Sequence, residues 1–134
     1  MNDLKFYNLG TVEDSLLSRV VIMCRYKNKW IFCKHKERNT WEIPGGHIEE
    51  GETWLEVAKR ELYEEIGATK MNIRPVFLYS ISKYAILCYA EIEELTDLPD
   101  FEIEKIEFFD KLPKDLTYPW HSNFYDKVQE FLKI

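Results

Sequence analysis

The segment from residue 53 to residue 67 constrains this chain most, because it specifies both ends and one face of a helix. Thr53 and Glu56 form the Ser/Thr-x-x-Glu pattern of a capping box, in which each side chain bonds the other residue's backbone N–H. Gly67 suits the left-handed position just beyond a helix end. The apolar residues that repeat at helical spacing, and that predict a buried stripe, are Leu55, Ala58, Leu62 and Ile66.

Three glutamates of this predicted helix lie close together. Glu61, Glu64 and Glu65 are i, i+3 and i+4 neighbours in a sector at the edge of the buried stripe. Like charges at that spacing destabilise a helix by about 0.2–0.5 kcal/mol per pair. A divalent cation would reverse this effect, because Mg²⁺ prefers carboxylate oxygens. A solvated acidic face is the simpler alternative and is favoured on charge alone. However, only two basic residues accompany the seven glutamates between residues 49 and 65, which shifts the balance toward metal binding.

The loop before this helix is rich in glycine. Gly46 and Gly51 are spaced as in a phosphate-binding P-loop, but Glu52 and Thr53 follow where that loop needs Lys and Ser/Thr. A P-loop nucleotide triphosphatase is therefore excluded. Adjacent glycines let the backbone turn tightly and present a carbonyl oxygen to a metal, although an ordinary strand-to-helix turn would use the same residues.

Taken together, these residues resemble the Nudix box, Gly-x₅-Glu-x₇-Arg-Glu-U-x-Glu-Glu-x-Gly-U, where U is aliphatic. All seven fixed positions match at the required spacing over residues 46–68, and the Ile-Pro-Gly-Gly lead-in is also similar to the family. Only the last U position, a small Ala68, departs mildly. The matching residues are Gly46, Glu52, Arg60, Glu61, Leu62, Glu64, Glu65, Gly67 and Ala68.

The resemblance implies a fold and a set of roles. It implies an α/β fold, a Nudix-type α/β/α sandwich with a mixed central sheet, in a single domain over residues 1–134. The catalytic residues it implies are Glu52, Arg60, Glu61, Glu64 and Glu65, with Arg60 and Glu52 tying the loop to the helix and Glu61 as the first choice of base. The Mg²⁺ or Mn²⁺ ligands it implies are Gly45, through its carbonyl, and Glu61, Glu64 and Glu65. Glu102 is the further ligand we favour, ahead of Glu104, although an exposed strand-edge acid is an equal alternative.

The rest of the chain has strand-like runs around this helix. Their arrangement suggests a mixed sheet between helices. Loops are predicted at 45–52 and 93–100, a hairpin turn at 27–29, and a last helix capped by Ser122. The predicted strands are 18–26, 30–34, 41–43, 73–80, 84–92 and 105–109.

Net charge and cysteine content limit the partners. The formal net charge of −6 makes the chain a poor general binder of nucleic acid, because phosphate contacts need clustered Lys and Arg. We therefore expect no nucleic acid polymer as partner. No apolar run approaches the ~20 residues of a membrane-spanning helix, so we expect no membrane either. The resemblance implies a nucleotide small molecule as partner, in a monomer or homodimer. Cys24, Cys33 and Cys88 lie in apolar runs and are expected to be buried, reduced thiols.

The N-terminus lacks the basic segment followed by an apolar segment that is typical of a secretory signal, so we expect a cytoplasmic protein.

The sequence specifies the substrate and its binding residues less closely than the metal ligands. A local segment, LTYPWHSNFYDKV, is similar to MutT-type enzymes, which release a nucleoside monophosphate and pyrophosphate from nucleoside triphosphates such as 8-oxo-dGTP. The resemblance leaves open dinucleoside polyphosphate, ADP-ribose or nucleotide-sugar hydrolysis and a non-catalytic nucleotide-sensing module. A Ca²⁺-binding domain is the remaining alternative, but the EF-hand ligand pattern is absent. The candidate substrate-binding residues are Lys34, Lys36 and Arg38 for phosphates, and Tyr84, His121 and Asn123, with Tyr79 and Trp120, for a nucleobase.

Overall fold

A computed structural model describes residues 3–134 of the chain. These residues form one mixed sheet and two α-helices. The strand order is β1-β5-β6-β2-β3-β7, with β4 beside the first half of β2, and only β2 and β6 pair in parallel. The elements are β1 Lys5–Tyr7, β2 Leu17–Tyr26, β3 Lys29–His35, β4 Gly45–His47, α1 Trp54–Ile66, β5 Ala68–Ile81, β6 Lys83–Leu95, β7 Ile103–Phe109 and α2 His121–Leu132.

Both faces of the sheet are buried under a helix. Val20 and Ile22 of β2 belong to the core that α1 covers, whereas Val21 and Met23 belong to the core that α2 covers. This alternation follows from the two-residue repeat of a strand. The predicted α/β/α sandwich with a mixed sheet is therefore confirmed. All three cysteines are buried free thiols, as expected. Within residues 3–134, neither helix combines the length and apolarity that crossing a membrane requires.

Helix α1 has the predicted ends. The Thr53 hydroxyl accepts a bond from the Glu56 N–H, the Glu56 carboxylate accepts one from the Thr53 N–H, and Gly67 adopts φ 73° in the left-handed region. One member of the predicted stripe is wrong, because Leu55 is 38% exposed. Side chains on a helix tilt toward its N-terminus, so the side chain of a first-turn residue such as Leu55 extends toward the end of the helix. Val57 is buried instead, so Glu61 and Glu65 lie between buried residues rather than at their edge, while Glu64 stays at the edge.

The segment before α1 differs from its prediction. Residues 45–47, expected in a loop, form β4 against β2. The absence of a side chain allows this pairing, since a Cβ on Gly45 would lie 2.7 Å from the Val20 carbonyl oxygen. The strand expected at 41–43 is reduced to isolated bridges at Trp41 and Glu42, because Pro44 carries no N–H to extend a ladder.

The remaining elements agree with the sequence with adjusted bounds. Lys27 and Asn28 have positive φ in a two-residue turn, which confirms the hairpin. Strands β5, β6 and β7 are longer than predicted, and β6 reaches into the loop expected at 93–100. Helix α2 begins at His121, and the Ser122 hydroxyl bonds the Pro119 carbonyl instead of capping the helix. The short β1 was not predicted.

Gly67 is expected to be the glycine with the clearest effect on stability. A Cβ at this position would lie 2.6 Å from the Thr96 carbonyl oxygen, in addition to adopting a left-handed conformation. We expect Gly67→Ala to lower the free energy of unfolding by at least about 2 kcal/mol, measured by urea denaturation. Gly10→Ala is the matched control, because Gly10 also has positive φ but a Cβ there would meet nothing within 4 Å. Equal losses in the two variants would contradict the clash at Gly67.

Candidate active site

Four carboxylates line one side of a cavity beside α1, which we call the acidic cavity. Its volume is about 220 Å³. Helix α1 supplies three of the carboxylates, and the turn into β7 supplies Glu102 together with the exposed ring of Phe101. The lining residues are Glu61, Glu64, Glu65, Phe101, Glu102 and Ile103.

Glu65 is held at the inner end of this cavity by the glycine strand. The Gly45 N–H donates to Glu65 Oε1 at 2.9 Å. Burial is the main cause that raises the pKa of Glu65 to about 8, and repulsion from Glu61 adds to it, while the Gly45 bond acts in the opposite direction. Burial likewise raises the pKa of Glu61, with repulsion from Glu64 as the next cause. The metal-free site therefore opposes full ionisation of its own acids.

The strand β4 brings its backbone against the same carboxylates. A Cβ on Gly46 would lie 2.8 Å from Glu61 Oε1, so only glycine permits this approach. Among residues 3–134, no three His, Cys, Asp or Glu side chains already converge on one point as in a preformed metal centre. The donor set nevertheless fits a hard divalent cation, because close, partly buried carboxylates with raised pKa values would be stabilised by one.

The loop between β4 and α1 is tied to the helix as predicted. Arg60 donates to Glu52, and the Glu52 carboxylate also accepts a bond from the Glu49 N–H at 3.0 Å. The Arg60 hydrogen bond is the main cause that lowers the pKa of Glu52. This pair is exposed to solvent, so its role is to position the loop rather than to stabilise the fold.

A second cavity of about 210 Å³, the central cavity, joins the acidic cavity through Glu65 and Glu102. Arg38 lines it and donates to both oxygens of the buried Glu42 at 3.1 and 3.2 Å. Arg19 also lines it, from the first half of β2. Two guanidinium groups therefore lie beside the acids, where they could bind phosphate oxygens.

A third cavity of about 280 Å³, the aromatic cavity, continues from the central one and shares Arg19 and His121 with it. Tyr79, Tyr118 and Trp120 supply its aromatic surface. Because neighbouring cavities share lining residues, the three lie side by side, in the order carboxylates, arginines and aromatic rings, and we call them together the cleft. Such a cleft can hold a polyphosphate at one end and a flat base at the other.

His121 lies in the wall between the central and aromatic cavities. It is 4% exposed, and its Nδ1 atom has no hydrogen-bond partner among the described residues. Its ring stacks on Phe124 with centroids 5.4 Å apart and also contacts Tyr118. Burial, with a smaller effect of Arg19, lowers the pKa of His121 to about 4, so the imidazole is neutral at pH 7.

Several candidates from the sequence lie away from this cleft. Lys34 pairs with Glu104 and Lys36 with Asp100, and none of these four lines the cavities described above. Tyr84 packs edge-on against Tyr7 in the core under α1. Asn123 is exposed on α2 and is also absent from the cavity walls.

Several cleft residues were not singled out from the sequence, among them Arg19, Glu42 and Tyr118. Arg19 is a charged residue at the start of an otherwise apolar strand, a signal that could have marked it. Glu42 is a buried acid whose importance appears only when Arg38 folds back on it. Tyr118 belongs to the aromatic segment 118–125 but cannot be distinguished there from core residues.

Comparisons with known proteins agree with this geometry. A family model described as NUDIX domain matches residues 14–128. YtkD of Bacillus subtilis (strain 168), which bears the provisional name 8-oxo-dGTP diphosphatase, is 33% identical over 131 residues, covering 87% of this chain and 82% of that protein. An RNA pyrophosphohydrolase of Mannheimia succiniciproducens is 37% identical over 57 residues, but the match covers 42% of this chain and 29% of that protein.

A solved structure extends the similarity to the whole fold. A mutant form of the Bacillus subtilis pyrophosphohydrolase BsRppH superposes with a TM-score of 0.79 and 25% identity. The superposition covers 97% of this chain and 92% of that chain. The cleft described above is thus built on a scaffold similar to that of a pyrophosphohydrolase.

Proposed function

This chain belongs to the Nudix hydrolase family as a pyrophosphohydrolase, and on that premise we propose that it hydrolyses nucleoside triphosphates, of the 8-oxo-dGTP type, to a nucleoside monophosphate and pyrophosphate. The observation that supports this most directly is the order of the three neighbouring cavities, which share lining residues. One end carries four carboxylates, the middle carries two arginines, and the other end carries three aromatic rings. A nucleoside triphosphate has complementary groups in the same order.

The carboxylates would hold Mg²⁺ or Mn²⁺. Glu61, Glu64 and Glu65 are the ligands we assign, with Glu102 at the rim and the Gly45 carbonyl as a further oxygen. A bound divalent cation would offset phosphate charge and lower the pKa of a water molecule. This assignment also explains how an acidic protein accepts a polyanion.

The protein's own side chains would position the phosphates and deprotonate the attacking water. Arg19 and Arg38 bind phosphate oxygens in the central cavity, where guanidinium offers two parallel N–H donors. Glu61 is the general base we assign for the attacking water, because it lines the acidic cavity beside the other carboxylates. The water oxygen bonds to one of the two phosphorus atoms that share the cleaved bridging oxygen, the bond from that phosphorus to the bridging oxygen breaks, and the departing phosphate group keeps the electron pair. Arg60 and Glu52 keep the loop in place.

A second candidate function is removal of pyrophosphate from the 5′-triphosphate end of RNA. The superposition on BsRppH, which includes 97% of this chain, favours it. The same cleft would serve, because both substrates carry a base and a polyphosphate on one nucleoside. The negative net charge favours the free nucleotide, since a long RNA would need basic contacts beyond the cleft.

A substrate panel with Mg²⁺ or Mn²⁺ tests these proposals. We expect 8-oxo-dGTP or dGTP to yield monophosphate and pyrophosphate, and EDTA to abolish the reaction. The panel should include a 5′-triphosphorylated RNA oligonucleotide, a dinucleoside polyphosphate and ADP-ribose, scored by the phosphate product released. Turnover of the RNA at least about tenfold above the free nucleotides would favour the second candidate. No product from any substrate with either metal would refute both.

A further inference from the structure

Most polar side chains of the aromatic cavity are hydrogen-bond donors or hydroxyl groups, whereas His47 Nε2 accepts a bond from Arg19 at 3.0 Å. Among the described residues that line it, there is no Asp or Glu side chain. Carboxylates are the usual partners of the amino and N–H groups on a base, because they only accept hydrogen bonds when ionised. This cavity is therefore better matched to a base edge that carries acceptors. Its polar lining residues are Ser18, Arg19, His47, Ser82, Lys83 and His121.

His121 is the most deeply buried of these polar groups and has an unmet hydrogen-bonding capacity. Its Nδ1 atom is sealed from solvent and unpartnered within residues 3–134. The ring edge that lines the two cavities is consequently the opposite one, which carries Nε2. An orphaned buried N–H is rarer in proteins than an orphaned acceptor. We therefore assign the single proton of the neutral ring to Nε2, where it can be donated into the cavity.

The orientation of this donor is fixed by packing. The imidazole is stacked on Phe124 at 29° between ring planes and is tilted against Tyr118 at 5.2 Å. It also begins α2, where the His121 N–H bonds the Tyr118 carbonyl. To accept a bond from an amino group at Nε2, the ring would have to carry its proton on Nδ1, which is buried and has no partner among the described residues. Such a site discriminates between bases more strongly than a flexible surface side chain would.

We propose that the aromatic cavity selects 6-oxopurines, the guanine class, and that His121 determines this specificity by donating Nε2–H to O6. The proposal rests on the proposed function for the position of the polyphosphate. Guanine presents two acceptors on this edge, whereas adenine presents the N6 amino donor next to N7. A donor facing N6 leaves both groups unpaired. The O6 atom is shared by guanine and 8-oxoguanine, and by free nucleotides and the first nucleotide of an RNA.

The test compares two substrates that differ at the purine 6-position, ITP and ATP. We expect wild-type protein to have a kcat/KM for ITP at least about tenfold above that for ATP. In His121→Phe, which keeps a stacked ring but removes the donor, this ratio is expected to fall to within about threefold of one. His121→Gln, which restores an N–H donor, is expected to recover part of the preference. Tyr125→Phe is the matched control on the same helix, because Tyr125 packs on Trp30 away from the cleft.

A binding measurement separates this inference from the proposed function. Trp120 lines the cavity, so its fluorescence can report titration with IMP or AMP in the presence of EDTA, without hydrolysis. Tighter binding of IMP that is lost in His121→Phe supports the inference even if no triphosphate is hydrolysed. Hydrolysis with equal affinities for IMP and AMP, or a preference that persists in folded His121→Phe, overturns the inference alone. Parallel assays with triphosphorylated RNAs that begin with G or A show whether the base comes from RNA or from a free nucleotide.

Discussion

Glu65→Gln is expected to lower kcat at least about a hundredfold while leaving the fold intact. The amide oxygen of glutamine can still accept the Gly45 N–H bond, whose length is 2.9 Å in the wild-type protein. What the substitution removes is the negative charge that a divalent cation requires. Steady-state kinetics over a range of Mg²⁺ and Mn²⁺ concentrations would measure the loss. Glu64→Gln is expected to behave in the same way, because Glu64 lines the same cavity.

The stability of this variant should change in the opposite direction to its activity. Burial raises the pKa of Glu65 to about 8, so an ionised carboxylate at this position opposes folding of the metal-free protein at higher pH. Glu65→Gln should therefore be at least as stable as wild type in EDTA at pH 8.5. Glu50→Gln is the control, because Glu50 is an exposed acid of the preceding loop and lines none of the cleft. Turnover near the wild-type level in Glu65→Gln would remove this carboxylate from the proposed site.

The acidic end of the cleft could be predicted from the sequence because it is encoded locally. The capping box at Thr53 and the left-handed Gly67 fix the helix, and helical geometry then places Glu61 and Glu65 one turn apart. For these carboxylates, the sequence prediction was wrong only about how deeply they are buried. Their burial depends on Val57 facing the sheet, which a period of 3.6 residues does not determine by itself.

The substrate end could not be predicted because it is assembled from distant segments. Arg19 reaches the cleft through pairing of β2 with β4 and β6, and the parallel partner lies more than 60 residues away. Lys34 and Lys36 are close to the box in sequence, but Glu104 of β7 pairs with Lys34, and Asp100 of the segment before β7 pairs with Lys36. Sequence distance from the box is thus a poor guide to distance from the site, since strand order decides which charges meet.

His121 is expected to make the protein markedly less stable in acid. The pKa of His121 is lowered to about 4 in the folded state, against about 6.5 when unfolded, mainly by burial. The unfolded chain therefore binds a proton at a higher pH than the folded chain does. The stability that this group contributes is complete above pH 6.5 and is lost as the pH falls through 4. A shift from 6.5 to about 4 corresponds to roughly 3 kcal/mol.

The comparison that isolates this effect is wild type against His121→Gln, by urea unfolding at pH 7 and pH 4. Other groups around the ring also titrate or carry charge, and they are common to both proteins. Those that line its two cavities are Arg19, His35, Arg38, Glu42, His47, Glu65, Tyr79, Lys83, Glu102 and Tyr118. Their contributions cancel when the two proteins are compared. Between pH 7 and pH 4, the free energy of unfolding of wild type is therefore expected to fall by roughly 3 kcal/mol more than that of His121→Gln. His47→Gln, which removes an exposed imidazole, is the matched control. Equal losses in wild type and His121→Gln would show that the imidazole is already solvated in the folded protein, and a solvated ring could not impose the base selectivity assigned to it.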